Sequence, residues 1–214
     1  MIRTWIALLV CLMCLPQAAQ SRTVRDFFAS EPDDIFLLVP HSVRLDLLDY
    51  FDSGQRVQLA NRMGDGTQIV ELDSAYLKIR TSASRVVELL VLPYTKSDTI
   101  LAVIETVSIP SPDSRLRFFN SNWVELSSIQ PLRPMPTIAD LFLPSASKAK
   151  RKELLDRLPF TVLEMTFTGQ DHRTLTVKHN LQQFLAREEY ALFAPWMKGE
   201  ITYTVGKKFK RNAK

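Results

Sequence analysis

Cysteine is nearly absent from this chain of 214 residues. Its two cysteines, Cys11 and Cys14, lie in a segment with one positive charge, a short apolar run and then small residues. That order is typical of a secretory signal peptide, and a run of about ten apolar residues is too short to span a bilayer. We expect cleavage after Ser21, with cleavage after Ala19 as the alternative. The cleaved chain would contain no thiol, which excludes disulfides, thiol catalysis and cysteine-bound zinc.

Glycine and histidine are also scarce, with six and three residues. The chain has neither the GxSxG elbow of many serine hydrolases nor a glycine-rich phosphate loop. His172 and His179 are seven positions apart on one predicted strand, so they should point to opposite faces and cannot share a metal ion. His41 precedes a predicted helix, where a loop or capping role is commoner. We therefore assign no catalytic residue, no cofactor and no metal ligand from the sequence.

The positive charge is concentrated at the C-terminus. The formal net charge is +4, but the last nine residues hold five of the 27 basic side chains. Without these five and Arg3, 21 basic residues stand against 23 acidic ones. Residues 207–214 are therefore predicted to be a solvated basic tail that could touch anionic lipid or glycan. Nucleic acid is not an expected partner of an exported protein. The tail residues taken as candidate contacts are Lys207, Lys208, Lys210 and Arg211.

Helices followed by strands are predicted for residues 22–130. Apolar side chains at helical spacing indicate a short helix that begins near Val24 and a second one over 42–51. Five β-rich runs follow, and the short breaks between them favour antiparallel pairing. These runs are TQIVEL, YLKIRT, RVVELLVL, TILAVIETV and SRLRFF.

Three aspartates, Asp46, Asp49 and Asp52, recur every three residues on the second predicted helix. Calcium loops instead place their acids two apart with a glycine at the turn, so the spacing does not match. We interpret Asp46 and Asp49 as a solvated face. Asp52 and Gln55 read as a capping box that begins a third helix over 55–63. A metal or acid–base site is the alternative.

Glu88 and Glu105 lie on the two most apolar predicted strands. If Leu92 faces Thr99 across the intervening loop, both glutamates fall on one face of the sheet. Basic residues at matching positions on the neighbouring strands then predict a cross-strand charge ladder on that face. A glycosidase-like carboxylate pair is the alternative, but basic neighbours favour ion pairing over a general acid. The basic residues are Lys78, Arg80, Arg115 and Arg117.

The second half of the chain repeats the order of helix and then strands. Residues 131–150 are rich in proline and predict an irregular connector with one helical turn. Residues 151–206 predict a helix, a hairpin, a helix over 181–193 and a final strand. The predicted fold class is thus α+β: N-terminal helices packed on an antiparallel sheet of about five strands, then a smaller helix–hairpin–helix–strand part. Whether the two parts form one domain is left open.

Two tryptophans stand in loops of the predicted fold. Trp123 in SNWVEL and Trp196 in APWMKG are candidate platforms for stacking a carbohydrate or another partner. Tryptophan in such places more often closes the edge of a core. Both readings are kept.

Several ordered fragments resemble a family of exported Bacteroidales proteins, domain of unknown function family 3256. The fragments are FFASEPDDIFLLVPHSVRLDLLDYFDSG, VELLVLPYTKSDTILAVIETV, DSRLRFFNSNWVEL and REEYALFAPWMKGEITYTVGKKF. The resemblance runs from about Phe27 to Phe209. It implies no activity and no site residues. Relatives often have two cysteines before the fifth strand, where this chain has Ser108 and Pro112, so no disulfide or thiol role carries over to that turn.

These observations favour an exported, soluble, periplasmic or secreted protein that binds an envelope protein or glycan, or belongs to an envelope assembly. A cell-envelope hydrolase with a carboxylate site is the alternative. A hydrolase should show a pocket with converging polar groups. A binding module should show an exposed patch or sheet edge.

Overall fold

The structure is a computed structural model that describes residues 22–93, 98–127 and 130–213. The predicted signal peptide, residues 1–21, lies outside these ranges. Among the described residues, no helix is long and apolar enough to cross a membrane. The fold is α+β, as predicted, with one antiparallel sheet of six strands, a second of four strands and few helices.

Two helices precede the sheets: α1 (Val24–Ala29) and α2 (His41–Asp52). A capping box begins α1, because the Thr23 hydroxyl accepts from the Asp26 N–H while the Asp26 carboxylate accepts from the Thr23 N–H. Both helices bury their apolar sides against the large sheet. The buried residues are Val24, Phe27, Phe28, Leu47 and Leu48.

The helix predicted over 55–63 is wrong, because the segment DSGQ ends α2 instead of starting another helix. Gly54 has φ of +78°, in the left-handed region that favours glycine. The Gln55 N–H donates to the Tyr50 carbonyl at 2.9 Å, and the Gly54 N–H donates to the Phe51 carbonyl at 3.1 Å. These two bonds form a Schellman motif, which closes a helix C-terminus. The chain then continues as a loop into strand β1.

All five strands predicted for the large sheet are present, together with the short β1. The strands pair in chain order, each antiparallel to the next. They are β1 (Leu59–Ala60), β2 (Gly66–Leu72), β3 (Tyr76–Arg80), β4 (Arg85–Pro93), β5 (Thr99–Ser108) and β6 (Pro112–Asn120).

The small sheet has the order β10-β9-β8-β7. The helix predicted over 181–193 is split into a 3₁₀ turn and α4, because Phe184 and Ala186 have non-helical backbone angles. The elements are α3 (Lys148–Leu155), β7 (Leu163–Thr168), β8 (Thr174–His179), α4 (Arg187–Phe193), β9 (Glu200–Thr204) and β10 (Lys210–Arg211). Three 3₁₀ turns lie at Ile138–Leu141, Leu181–Gln183 and Ala194–Trp196.

The large sheet is the middle layer of the molecule, with a core on each face. One core joins it to α1 and α2 and includes Phe27, Leu89 and Val103. The other joins it to the small sheet and includes Phe118 and Val177. The proline-rich connector contributes to this second core. Its buried residues are Leu132, Ile138, Leu141, Phe142 and Ala146.

Side chains of the large sheet also complete the hydrogen bonding of β7, the outer strand of the small sheet. The Leu163 N–H donates to the Asp113 carboxylate at 3.1 Å, and the Met165 N–H donates to the Ser114 hydroxyl at 2.9 Å. An outer strand would otherwise present such groups to solvent or to another chain. These bonds fix how the two sheets lie against each other.

Candidate functional site

The three aspartates of α2 have different surroundings. Asp46 and Asp49 are exposed, and the Asp52 carboxylate pairs with the Arg25 guanidinium at 2.5 Å. Among the described residues, no group of three or more His, Cys, Asp or Glu side chains is arranged to hold a metal ion. The interpretation of Asp46 and Asp49 as a solvated face fits their exposure, whereas Asp52 ties α2 to α1 instead of capping a third helix.

Glu88 and Glu105 lie on opposite faces of the large sheet, so the predicted ladder on one face is wrong. The register pairs Glu88 with Ile104 and Glu105 with Val87, one position away from the expected pairing. A shift of one residue moves a side chain to the other face. The two carboxylates therefore cannot act together on one glycosidic bond, which removes the carboxylate pair considered above.

The Glu88 carboxylate is buried and joins the two sheets. It pairs with the Lys78 ammonium at 3.2 Å and accepts hydrogen bonds from the Thr166 hydroxyl at 2.8 Å and the Phe167 N–H at 2.9 Å. Burial raises the pKa of the neighbouring Tyr76 hydroxyl, and the Glu88 carboxylate, to which it is hydrogen-bonded, raises it further. All these partners belong to the fold, so Glu88 has a structural role in connecting the two sheets.

The Glu105 carboxylate lies on the helix-facing side of the sheet, between two arginines. It pairs with Arg85 and with Arg117, and Arg85 also donates to the Ile35 carbonyl at 2.9 Å. Glu105 therefore braces the loop before α2 against the sheet. Of the four predicted basic residues, Lys78 pairs with Glu88 and Arg117 with Glu105, in two separate networks, and Arg85 is a partner that was not predicted.

A buried ion pair that the sequence analysis missed stabilises the loop between α1 and α2. The Glu31 carboxylate accepts hydrogen bonds from the N–H groups of Asp33, Asp34 and Ile35 at 2.7–3.0 Å. Arg44, on α2, donates to it at 2.8 Å and is 1% exposed. The sequence contains no local signal for this pair, because its members are 13 residues apart and the loop must fold before they meet. Removing one partner of such a pair typically costs about 3–5 kcal/mol.

The histidines are separated, but not by alternation along one strand as predicted, because β8 begins at Thr174 and His172 has a positive φ of 56°. His172 lies in the turn before β8, stacks on Tyr76 with 3.6 Å between ring centroids, and has Nε2 3.2 Å from Glu71. His179 ends β8, and burial lowers its pKa. His41 is exposed at the first position of α2. No two histidines share a site among the described residues.

The two tryptophans are in different parts of the molecule. Trp123 is half-buried against Phe27 and Phe119, with centroids 6.5 and 5.6 Å away. Trp196 is half-buried at the other core, and the Lys150 ammonium lies 6.0 Å from its ring centroid. Both rings contribute to core edges. Whether either also stacks a ligand remains a prediction.

The C-terminal segment does not form the solvated tail that its composition suggests. Phe209 is 9% exposed, packs on Phe118 with 5.6 Å between centroids, and donates its N–H to the Pro131 carbonyl at 2.8 Å. Residues 210–211 form β10 on the edge of β9. Arg211 donates to the Asp140 carbonyl at 2.6 Å. Phe209, Arg211 and the pairing of β10 with β9 thus hold the basic segment in place.

Three lysines of this segment remain exposed: Lys207, Lys208 and Lys210. None of them pairs with a carboxylate among residues 22–93, 98–127 and 130–213. Residues 207–210 therefore present three exposed lysines, which we call the basic edge: Lys207, Lys208 and Lys210.

A cleft of about 260 Å³ opens beside the basic edge. Burial raises the pKa of the Tyr203 hydroxyl, and the Asp140 carboxylate raises it further, so this hydroxyl stays protonated and can donate a hydrogen bond. The lining residues are Leu132, Arg133, Pro134, Asp140, Tyr203, Phe209 and Arg211. Of the residues predicted from sequence, the structure places Arg211 in the lining of this cleft, and Lys207, Lys208 and Lys210 next to it in the chain but outside the lining. It places Trp123 and Trp196 elsewhere.

Residues 16–209 match the family described as protein of unknown function DUF3256. The chain belongs to this family. The match covers most of the sequence, and it confirms the resemblance identified from the sequence fragments. The description of DUF3256 assigns no activity that could be transferred to residues of this chain.

A solved structure supports the fold of this DUF3256 protein. It is a domain of an uncharacterized protein from Porphyromonas gingivalis W83, with a TM-score of 0.73 and 23% sequence identity. The similarity covers 89% of this chain and 98% of that one. No curated protein matches the chain. At this identity the likeness concerns the fold alone, so the function has to be argued from the surface described above.

Proposed function

We propose that this DUF3256 protein is an exported binding module of the cell envelope. The observation that supports the proposal is the basic edge, where exposed cations are held by a folded segment and have no carboxylate partner among the described residues. Conspicuous carboxylates elsewhere, such as Glu31, Glu88 and Glu105, are already bound to partners within the fold. An exposed charged side chain that has no partner within the fold is available to bind a partner molecule.

Order in the basic edge matters for binding. A free tail loses conformational entropy when it binds, whereas a segment fixed by Phe209 and β10 has lost that entropy on folding. The fixed segment therefore loses less freedom on contact with a partner. Export is part of the proposal and is supported by the signal-like residues 1–21.

Affinity capture from an envelope extract tests this function. The parent protein should retain envelope components at low salt and release most of them at high salt, because exposed charges are screened. A variant with Lys207→Gln, Lys208→Gln and Lys210→Gln should retain markedly less. The matched control carries Lys148→Gln, Lys152→Gln and Arg157→Gln. It has the same change in charge, but two of these side chains pair with acids on or just after α3.

Equal capture by the parent and the basic-edge variant would overturn the proposal for this surface. Export is tested separately by sequencing the N-terminus of the processed protein, which should begin at Arg22. A protein that stays unprocessed in the cytosol would overturn the export part alone.

A further inference from the structure

We draw no further inference here: the strongest candidate, the cleft of about 420 Å³ between β6, β7 and the proline-rich connector, carries none, because its side chains Asp113 and Ser114 are already bonded to β7 and nothing in the structure shows what would occupy its apolar remainder.

Discussion

Glu88 and Glu105 stabilise different layers of the molecule because they lie on opposite faces of the large sheet. Glu88 reaches the small sheet through Thr166 and Phe167, whereas Glu105 reaches the helix layer through Arg85. Each carboxylate is the centre of several bonds. Neutralising it leaves charged or polar partners without their acceptor, which costs more than the loss of one surface ion pair.

We expect Glu88→Gln and Glu105→Gln each to lower the free energy of unfolding by about 1–3 kcal/mol near neutral pH. Glu88 should be the more sensitive position, because it is 3% exposed. Urea unfolding of both variants measures the effect. Glu125→Gln is the matched control, because Glu125 is exposed and its ion pair with Arg117 is long, at 3.4 Å. This substitution should lower the free energy of unfolding by less than about 0.5 kcal/mol. A parent-like Glu88 or Glu105 variant would refute the structural role of that residue.

His179 should make the stability of the protein depend on pH. Burial lowers its pKa, so the folded protein favours the neutral ring, while the unfolded chain binds a proton near pH 6.5. The contribution of the neutral His179 ring to the free energy of unfolding is therefore fully present above that pH. The free energy of unfolding falls as the pH drops below it, by at most about 1.4 kcal/mol per pH unit. Unfolding between about pH 7.5 and about pH 5.5 should show this slope in the parent and a smaller one in His179→Gln.

Exposed His41 is the control for that experiment. The His41→Gln protein shows what replacing a histidine outside the core does to the slope. A His179→Gln protein with the parent's slope would show that other groups cause the dependence.

At the scale of elements, local patterns predict the strands well and their register poorly. β-branched and aromatic runs identify β2 to β6 because each strand is buried on at least one face. The register depends on the loop between β4 and β5. Pairing Pro93 with Thr99, as observed, instead of Leu92 with Thr99 changes the loop by one residue and turns Glu88 and Glu105 to opposite faces.

Two other elements were mispredicted for physical reasons that a sequence pattern does not contain. The segment DSGQ is compatible with a helix start and with a helix end, and only the left-handed Gly54 decides between them. The C-terminal segment looks like a tail because five of its residues are basic, and Phe209 anchors it only through contacts with distant Phe118 and Pro131. The candidate cations were predictable from sequence, but their place in an ordered segment required the fold.

Gly54 provides a test of the helix end. An alanine at φ of +78° is strained even though its Cβ would meet no atom within 4 Å, so Gly54→Ala should destabilise the protein by about 1 kcal/mol. Gly199→Ala is the control, because its Cβ would also meet nothing within 4 Å and its φ lies outside the strained range. Thermal or urea unfolding compares the two. If Gly54→Ala matches Gly199→Ala, the Schellman motif does not account for the end of α2.

At the scale of the whole molecule, one core spans both sheets, and this bears on whether the chain has one domain or two. Tyr76, Leu90 and Phe118 of the large sheet pack with Met165 and Val177 of the small one. Separating the sheets would expose these side chains and leave the Glu88 carboxylate without its β7 partners. Because each sheet would lose these interactions on separation, we expect the two sheets to unfold together as a single cooperative unit.

The two tryptophans allow this cooperativity to be measured layer by layer. Trp123 reports on the helix-facing core and Trp196 on the core between the sheets. In proteins that begin at Arg22, Trp196→Phe leaves only the first reporter and Trp123→Phe only the second. Circular dichroism measures the urea midpoint of each variant as a whole. In each variant, the midpoint of the tryptophan fluorescence should equal the midpoint from circular dichroism. A Trp196 signal that changes at lower urea than the circular dichroism would mean that the small sheet unfolds alone, as an independent second domain would.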